Sequence, residues 1–208
     1  MQSPTHSHAT DARFVAARRA MIDSQLRTSG VTGDVVLARM RSVSRENFVP
    51  AAMRDVAYVD RAVPMGNGRY LAAPLVHGMM LQEANPMPTD HVLLVDSGSG
   101  YLAELVRPLV ANLTVLTPEQ AMAVTHSAAK ADADKADLLM IDGAIEQMPD
   151  VLVKRLADNG RVVTGLVQDG VTSLARGRKS GGEIAFLKLG EIGIPRLPEF
   201  DRPKGWSF

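Results

Sequence analysis

The chain has 208 residues, with 23 Lys and Arg against 23 Asp and Glu, and it contains no cysteine. A length near 200 predicts a single domain, and the lack of cysteine excludes a disulfide scaffold, a thiolate metal site and a thiol nucleophile. The balanced charge gives no general attraction to nucleic acid or to an anionic membrane, so neither partner is expected, and no metal site is predicted.

The N-terminal segment carries no recognisable targeting signal. Residues 1–10 are polar and lack the basic and apolar regions of a secretory signal. No apolar stretch of the sequence reaches the roughly 18 residues that a membrane-spanning helix needs. We therefore expect a disordered tail over residues 1–10, a single domain over residues 11–208, and a cytoplasmic location.

The first part of that domain, residues 11–88, is expected to be helices and a loop. Its apolar residues recur mostly at helical spacing, and Gly30 stands where the first helix should end. A Gly- and Pro-rich stretch follows, and loops of such length in compact domains are often functional. The predicted elements are a helix over 11–28, a helix from 32 or 34 to 40, a loop over 58–74 and a helix over 75–84.

Strand and helix patterns alternate over residues 89–170. Predicted strands cover 91–95, 113–116, 137–141 and 161–167, and predicted helices cover 101–110, 118–131 and 148–156. Strands that are unbroken apolar runs and alternate with helices are typical of a parallel sheet with both faces covered. The fold class is therefore α/β, with a mostly parallel, doubly wound sheet that forms a Rossmann-like core.

The last part, residues 171–208, changes to short strands and a tail. Strands over 171–175 and 183–189, joined by the stretch RGRKSGG, predict an antiparallel hairpin at the edge of the sheet.

A glycine turn, Ser97-Gly98-Ser99-Gly100, joins the strand over 91–95 to the following helix. Small residues at such a turn let the backbone approach an adenosyl ligand, and ligands of open α/β sheets lie beyond the carboxyl ends of the strands. The same turn also serves simply to pack a helix tightly on a strand. The turn alone does not decide between the two roles.

Five sequence blocks in a fixed order make the chain resemble the protein-L-isoaspartate O-methyltransferase family from Arg18 to Phe200. The blocks are RRAMIDSQLRTSGV, VLARMRSVSRENFVP, AYVDRAVPMGNGRYLAAP, VLLVDSGSGYLAELV and LLMIDGAIEQMPDVLVKRLADNGRVV. The resemblance implies the Rossmann-like methyltransferase fold with N-terminal helices added. It also implies S-adenosylmethionine as cofactor, a protein or peptide as substrate, and protein repair by methyl transfer to a carboxylate. The apolar faces of the N-terminal helices leave a homodimer open.

Carried over from the family, the cofactor-binding candidates are Asp96, Gly98, Ser99, Gly100, Tyr101, Glu119 and Asp142. The family's turn reads acidic-hydrophobic-Gly-x-Gly-x-Gly, whereas Leu94 and Asp96 stand at the acidic position and the first glycine. The charge of Asp96 either meets the ammonium group of the cofactor or blocks the pocket. Thr117 replaces the family's ribose-binding carboxylate, and Glu119 either takes that role or supports the start of a helix.

The family's substrate motif, Thr-x-Ser-x-Pro, aligns with Tyr70, Ala72 and Pro74, so both hydroxyl positions are altered and the catalytic residues are unknown. The 19 residues from Pro118 to Ala136 hold one helix and two loops and leave no room for a further family strand. The sheet is thus expected to lack one strand and its adenine contact. Asp142 either acts in the cleft or begins an Asp-Gly turn.

Two histidines are interpreted as packed or partly exposed side chains, because neither His77 nor His91 has an acidic or hydroxyl partner nearby in sequence. Three functions remain open at this point. The chain is an isoaspartyl-type methyltransferase, a non-catalytic relative that serves as a binding or scaffold module (a pseudoenzyme), or a methyltransferase with a different substrate.

Overall fold

The structure, a computed structural model, describes residues 5–123 and 135–203. In these residues the α-helices are α1 (Thr5–Met21), α2 (Asp34–Ser42), α3 (Pro74–Ala84), α4 (Tyr101–Val106), α5 (Pro118–Ala123) and α6 (Asp150–Arg155). The strands are β1 (Val63–Gly66), β2 (Arg69–Leu71), β3 (His91–Val95), β4 (Asn112–Leu116), β5 (Ala136–Ile145), β6 (Leu156–Gln168), β7 (Val171–Ser180) and β8 (Glu183–Glu191). None of the described helices is both long and apolar enough to span a membrane.

Strands β3 to β8 form one sheet in the order β4-β3-β5-β6-β7-β8. The first four strands in this order run parallel, and β7 and β8 run antiparallel to their neighbours. The predicted α/β class is confirmed, with a mostly parallel sheet and an antiparallel hairpin at one edge.

The two faces of the sheet bury alternate residues of the same strands. Leu94 and Met140 face a core shared with α1 to α4, whereas Leu93 and Leu139 face a core shared with α5, α6 and the C-terminal segment. Since successive strand residues point to opposite faces, covering both faces explains why these strands read as unbroken apolar runs.

The first helix begins earlier than expected. α1 starts at Thr5 rather than at residue 11, and helical turns continue to Ser29. Gly30 then ends the helix at φ 91°, a left-handed conformation that glycine adopts without steric cost. The remaining tail residues, 1–4, lie outside the described part of the chain.

The segment predicted as a loop over residues 58–74 contains the small hairpin β1–β2. Its strands pair antiparallel from Val63 with Leu71, and Asn67 and Gly68 turn the chain at positive φ. Strands of four and three residues with Pro64 inside one of them carry too little periodic pattern to stand out in the sequence.

Three other sequence predictions need correction. The third core strand does not stop before Asp142, because β5 bulges and continues to Ile145, where Ala144 pairs with the C-terminal segment at Arg196. The stretch RGRKS lies in strand β7, and only Gly181 and Gly182 form the turn. α6 is shorter than the predicted helix over 148–156.

The strand that the family places between β4 and β5 in sequence was expected to be missing. In the described residues between Leu116 and Ala136 there is the helix α5 and no strand, and β4 forms the edge of the sheet. The end of the predicted helix over 118–131 falls in residues 124–134, which lie outside the described part.

Candidate functional site

The candidate site lies at one edge of the sheet, where the parallel strands β4, β3 and β5 bring their carboxyl ends together. Val95 of β3 is in register with Leu116 of β4 and with Ile141 of β5. The residues that follow are therefore neighbours, and they place Asp96 beside Asp142. Such an edge is where open α/β sheets bind their ligands.

The glycine turn is folded around the carboxylate of Asp96. The backbone N–H of Gly98 donates to Asp96 Oδ1 over 2.7 Å, and that of Gly100 donates to the same oxygen over 3.0 Å. Gly98 (φ 108°) and Gly100 (φ 74°) both adopt the left-handed region, which a side chain at either position would strain. The aspartate at the family's first glycine position thus binds the turn's own amides.

Asp96 is a buried carboxyl group beside a second one. Only 7% of the residue is exposed. Burial and the nearby Asp142 carboxylate raise the pKa of Asp96, and the N–H groups of Gly98 and Gly100 oppose this shift only in part.

Behind Asp96 lies a buried polar cluster, which we call the Asp142 network: Arg45, His77, Ser97 and Asp142. His77 Nε2 lies 2.9 Å from Asp142 Oδ1, and Ser97 Oγ donates to Asp142 Oδ2 over 2.8 Å. Arg45 Nη1 lies 3.1 Å from His77 Nδ1. Because arginine only donates, Nδ1 accepts, and the imidazole is the neutral tautomer that donates its Nε2–H to Asp142.

Arg45 supplies the positive charge of the network although none of its surface is exposed. Its guanidinium donates to the carbonyls of Ala57 (2.7 Å from Nε) and Ala72, and lies 4.9 Å from the centre of the Tyr101 ring. Burial alone would raise the pKa of Asp142, but its electrostatic interaction and hydrogen bond with His77, the hydrogen bond from Ser97 and the charge of Arg45 lower it below its ordinary value. The buried charges are therefore paired.

The residues aligned with the substrate motif lie on β2 and at the start of α3. Tyr70 is 42% exposed, and its carbonyl oxygen lies 3.4 Å from Ser97 Oγ. Ala72 is buried, and its carbonyl accepts from Arg45. Pro74 is the first residue of α3, a position where its missing N–H costs nothing. The Asp142 network thus ties this loop to the glycine turn.

Above the turn, Arg69 of β2 forms a bridge to two acidic residues. Its guanidinium is 2.6 Å from Glu199 Oε1 and also binds Glu119. Its Cγ lies 4.0 Å from where a Cβ on Gly98 would stand, so the side chain lies against the turn. We call this set the Arg69 bridge.

Glu119 lies in the first turn of α5, just beyond the end of β4. Thr117 caps that helix, because its Oγ1 accepts from the N–H of Gln120 while the Gln120 side chain accepts from the N–H of Thr117. A hydrogen bond from Thr117, with the charge of Arg69 as a further cause, lowers the pKa of Glu119. Glu119 therefore stands ionised and exposed on the rim of the site.

An open groove of about 530 Å³ lies on the other side of Tyr70. Residues of the segment before β1, of the loop before α3 and of the segment after β8 line it: Asp60, Arg61, Tyr70, Ala73, Ile192 and Pro195. Its lining combines apolar side chains with the charged residues Asp60 and Arg61.

The structure brings most of the sequence candidates together, namely Asp96, Gly98, Ser99, Gly100, Tyr101 and Asp142, with Glu119 on the rim. The reading of Asp142 as the start of a turn is wrong, since it lies inside β5. Sequence reasoning missed His77 and Arg45. Their partners lie 65 and 32 residues away in sequence, and no local spacing signals such a contact. His91 is exposed.

Comparisons with known proteins place the chain among one group of enzymes. A sequence profile of the protein-L-isoaspartate(D-aspartate) O-methyltransferase family matches residues 16–135. A protein-L-isoaspartate O-methyltransferase of Koribacter versatilis is 30% identical over 195 residues, which cover 85% of this chain and 88% of the relative. Another, from Rhodopseudomonas palustris, is 30% identical over 215 residues, covering 93% of this chain and 86% of the relative.

A solved structure has the same fold. It comes from Plasmodium falciparum and is described as a protein-L-isoaspartate O-methyltransferase in complex with S-adenosyl-L-homocysteine. It superposes with a TM-score of 0.69 at 19% identity, covering 88% of this chain and 98% of that one.

Proposed function

Because the chain belongs to the protein-L-isoaspartate O-methyltransferase family, we propose that it transfers a methyl group from S-adenosylmethionine to the carboxylate of an isoaspartyl residue in a protein or peptide. The observation that carries the proposal is the family match together with an accessible glycine turn at the carboxyl edge of a parallel sheet. No feature of the described residues favours a scaffold role or a different substrate.

The residues of the edge fit an adenosyl cofactor. Gly98 is exposed and Gly100 half-buried, and a Cβ on either would meet no atom closer than 4.0 Å, so the backbone there is open to a ligand. Glu119 on the neighbouring rim offers an ionised carboxylate for ribose hydroxyls. We propose that the turn from Gly98 to Gly100 and Glu119 hold the cofactor, which supplies an electrophilic sulfonium methyl group.

The chain's own contribution to such a reaction is positioning. A substrate carboxylate is already a nucleophile at neutral pH, so no general base is required and orientation dominates the rate. The Asp142 network provides this positioning. Arg45 donates a hydrogen bond to the carbonyl of Ala72, and Ser97 Oγ contacts both Asp142 and the carbonyl of Tyr70. The substrate loop and the cofactor turn are thereby fixed to one buried cluster.

We propose that the groove beside Tyr70 takes the peptide, with Arg61 close to its acidic groups. Methylation of the isoaspartyl carboxylate would be the first step of isoaspartyl repair. We propose the cytoplasm as the location of the protein. A homodimer through the N-terminal helices stays a prediction.

A methyl-transfer assay tests the proposal. The wild-type chain is incubated with S-adenosylmethionine carrying a labelled methyl group and an isoaspartyl peptide, with the aspartyl peptide of the same sequence as control. We expect base-labile methyl ester on the isoaspartyl peptide alone. Equal labelling of both peptides would mean a different substrate, and no labelling at saturating peptide would contradict the proposed activity.

A matched pair of variants sharpens the assay. Ala72→Ser restores a hydroxyl at the family's serine position and is expected to raise the rate, whereas Ala111→Ser adds a hydroxyl at an exposed position just before β4, outside the groove, and is expected to leave it unchanged.

A further inference from the structure

The two outer strands of the main sheet differ in how their free edges are protected. In the described residues β4 pairs only with β3, at one edge, and β8 pairs only with β7, at the other. Proteins protect such edges against pairing with another chain by charged side chains, proline or bulges. β8 carries Glu183, Lys188 and Glu191 and has a shift in its register with β7. β4, with the sequence NLTVL, has no charge, no proline and no bulge, so its edge is unprotected.

The outer side of β4 presents a short, regular row of backbone hydrogen-bonding groups. In a parallel pair of strands, alternate residues direct their N–H and C=O toward the neighbouring strand. The N–H of Asn112 and the carbonyl of Leu116 bond to the residues that flank β3, at 3.2 and 2.9 Å. Thr114, between them, therefore also faces β3, and Leu113 and Val115 direct their N–H and C=O away from the sheet.

This row of groups is complementary to a second copy of itself. If two copies of β4 meet antiparallel about a two-fold axis at Thr114, Leu113 of one copy lies opposite Val115 of the other, and the reverse. Opposite residues whose backbone groups face the partner strand exchange both of their hydrogen bonds. All four outward backbone groups of each copy are then bonded, which no shift of the register by one residue would achieve.

The side chains of β4 favour the same arrangement. Thr114 is exposed, Val115 is 38% exposed and Leu113 is half-buried. About the two-fold axis each threonine faces its own copy, and Thr–Thr pairs across strands are favourable. The leucine and the valine face each other and are removed from water. Since the strand carries no charge, no like charges stand opposite each other.

We infer that β4 is an interface between two copies of this chain, which pair their β4 strands antiparallel about Thr114 and join their sheets into one. Such an isologous contact closes as a dimer and does not extend into a filament. It is distinct from a homodimer through the N-terminal helices. The inference goes beyond the proposed methyl transfer and does not depend on it.

Sedimentation equilibrium of charge variants tests the inference. A strand pair of five residues makes a small interface, so we expect weak association, measured at chain concentrations from about 1 µM to about 1 mM. Thr114→Lys puts two like charges opposite each other and should raise the dissociation constant of the dimer about fivefold or more. Thr114→Glu should do the same. An equal mixture of the two variants should restore the association, because opposite charges then meet.

The controls separate the contact from folding. Thr32→Lys adds the same charge at an exposed threonine just before α2 and should leave the dissociation constant unchanged. A misfolded variant would not be rescued by mixing with the other. Amide hydrogen exchange of the wild type gives a second readout. Exchange at Val115 should slow as the concentration rises, whereas exchange at Asn112, which is already bonded to Asp90, should not change.

Three results would overturn the inference. A wild type that stays monomeric over the whole range would mean that the edge is open, or is covered by residues 124–134 or by a different protein. A dimer that Thr114→Lys does not weaken would place the interface on another face, such as the N-terminal helices. A mixture of the folded lysine and glutamate variants that does not associate would exclude pairing about Thr114. None of these results bears on the methyl-transfer assay, so the proposed function is tested separately.

Discussion

Two charged clusters enclose the candidate cofactor turn from opposite sides, and burial distinguishes them. Below the turn, the side chains of His77 and Asp142 are 0% and 1% exposed. Above it, the Arg69 bridge joins side chains that are 21% exposed for Arg69 and 63% for Glu119. The lower cluster joins four distant segments of the chain and the upper cluster joins three, yet only the lower one is shielded from water.

The difference in burial indicates which cluster contributes more to the free energy of unfolding and which cluster can rearrange to admit a ligand. Removing one partner from a buried pair leaves a charge that water cannot reach, whereas an exposed pair loses little because water replaces it. We therefore expect the Asp142 network to act as the rigid base of the site and the Arg69 bridge to be readily rearranged.

The largest effect is expected for Asp142→Ala. The change leaves Arg45 without its buried counter-charge and the Nε2–H of His77 without an acceptor, and the hydroxyl of Ser97 keeps only the carbonyl of Tyr70, 3.4 Å away. The free energy of unfolding should fall by about 3–5 kcal/mol, measured by urea denaturation. Glu104→Ala, at an exposed carboxylate of helix α4, is the control. A loss of under about 1 kcal/mol in Asp142→Ala would contradict the distinction between the two clusters.

A smaller loss is expected next to the network, for Gly143→Ala. A Cβ at Gly143 would stand 2.5 Å from Leu197 Cγ, on the segment that pairs with β5. Overpacking of this kind costs about 1–3 kcal/mol. Gly190→Ala is the matched control, because nothing lies within 4 Å of the added Cβ. Equal unfolding free energies for the two variants would show that the C-terminal segment is not packed as described.

A much smaller loss of stability is expected when the Arg69 bridge is broken. Arg69→Gln removes the ion pair with Glu199, and the free energy of unfolding should change by less than about 1 kcal/mol because the pair is partly exposed. The small difference should shrink further in high salt. A loss comparable to that of Asp142→Ala would contradict the distinction between the two clusters.

The smallest effect concerns pH, because two neighbouring carboxyls act with opposite sign. The folded-state pKa of Asp96 is raised, so its contribution is present below the unfolded pKa and is lost as pH rises. The folded-state pKa of Asp142 is lowered, so its contribution is present above the unfolded pKa and is lost as pH falls. In the wild type the two trends partly cancel.

The variant Asp96→Asn removes one of the two opposing contributions to the pH dependence of the free energy of unfolding. Without the contribution of Asp96, the free energy of unfolding should no longer fall as pH rises above the unfolded carboxyl pKa of about 4, so its slope against pH there should be more positive than in the wild type. Denaturation at a series of pH values measures the slope. The same slope in both proteins would mean that Asp96 is not perturbed by its surroundings.

The sequence predicted the core of this fold well because its signals are local. Unbroken apolar runs such as residues 91–95 follow from burial on both faces, and Gly30 and Gly100 mark a helix end and a helix start that need positive φ. The sequence also predicts that the glycine turn and Asp142 lie at the same edge of the sheet, because the carboxyl ends of parallel strands meet at one edge.

What could not be predicted depends on contacts that are distant in sequence. The pairing of His77 with Asp142 arises only when α3 packs on the sheet. The continuation of β5 through Asp142 depends on its pairing with Arg196 near the C-terminus. That Asp96 binds its own turn depends on the left-handed backbone of Gly98 and Gly100, which the sequence permits without requiring.

The melting temperature of the wild-type chain with and without S-adenosylmethionine tests most directly whether the site is a working cofactor site. A ligand at a hundred times its dissociation constant stabilises the folded state by about 2.7 kcal/mol, which for a domain of this size corresponds to a rise of roughly 5–10 °C. We expect such a rise. An unchanged melting temperature at millimolar S-adenosylmethionine would contradict the account.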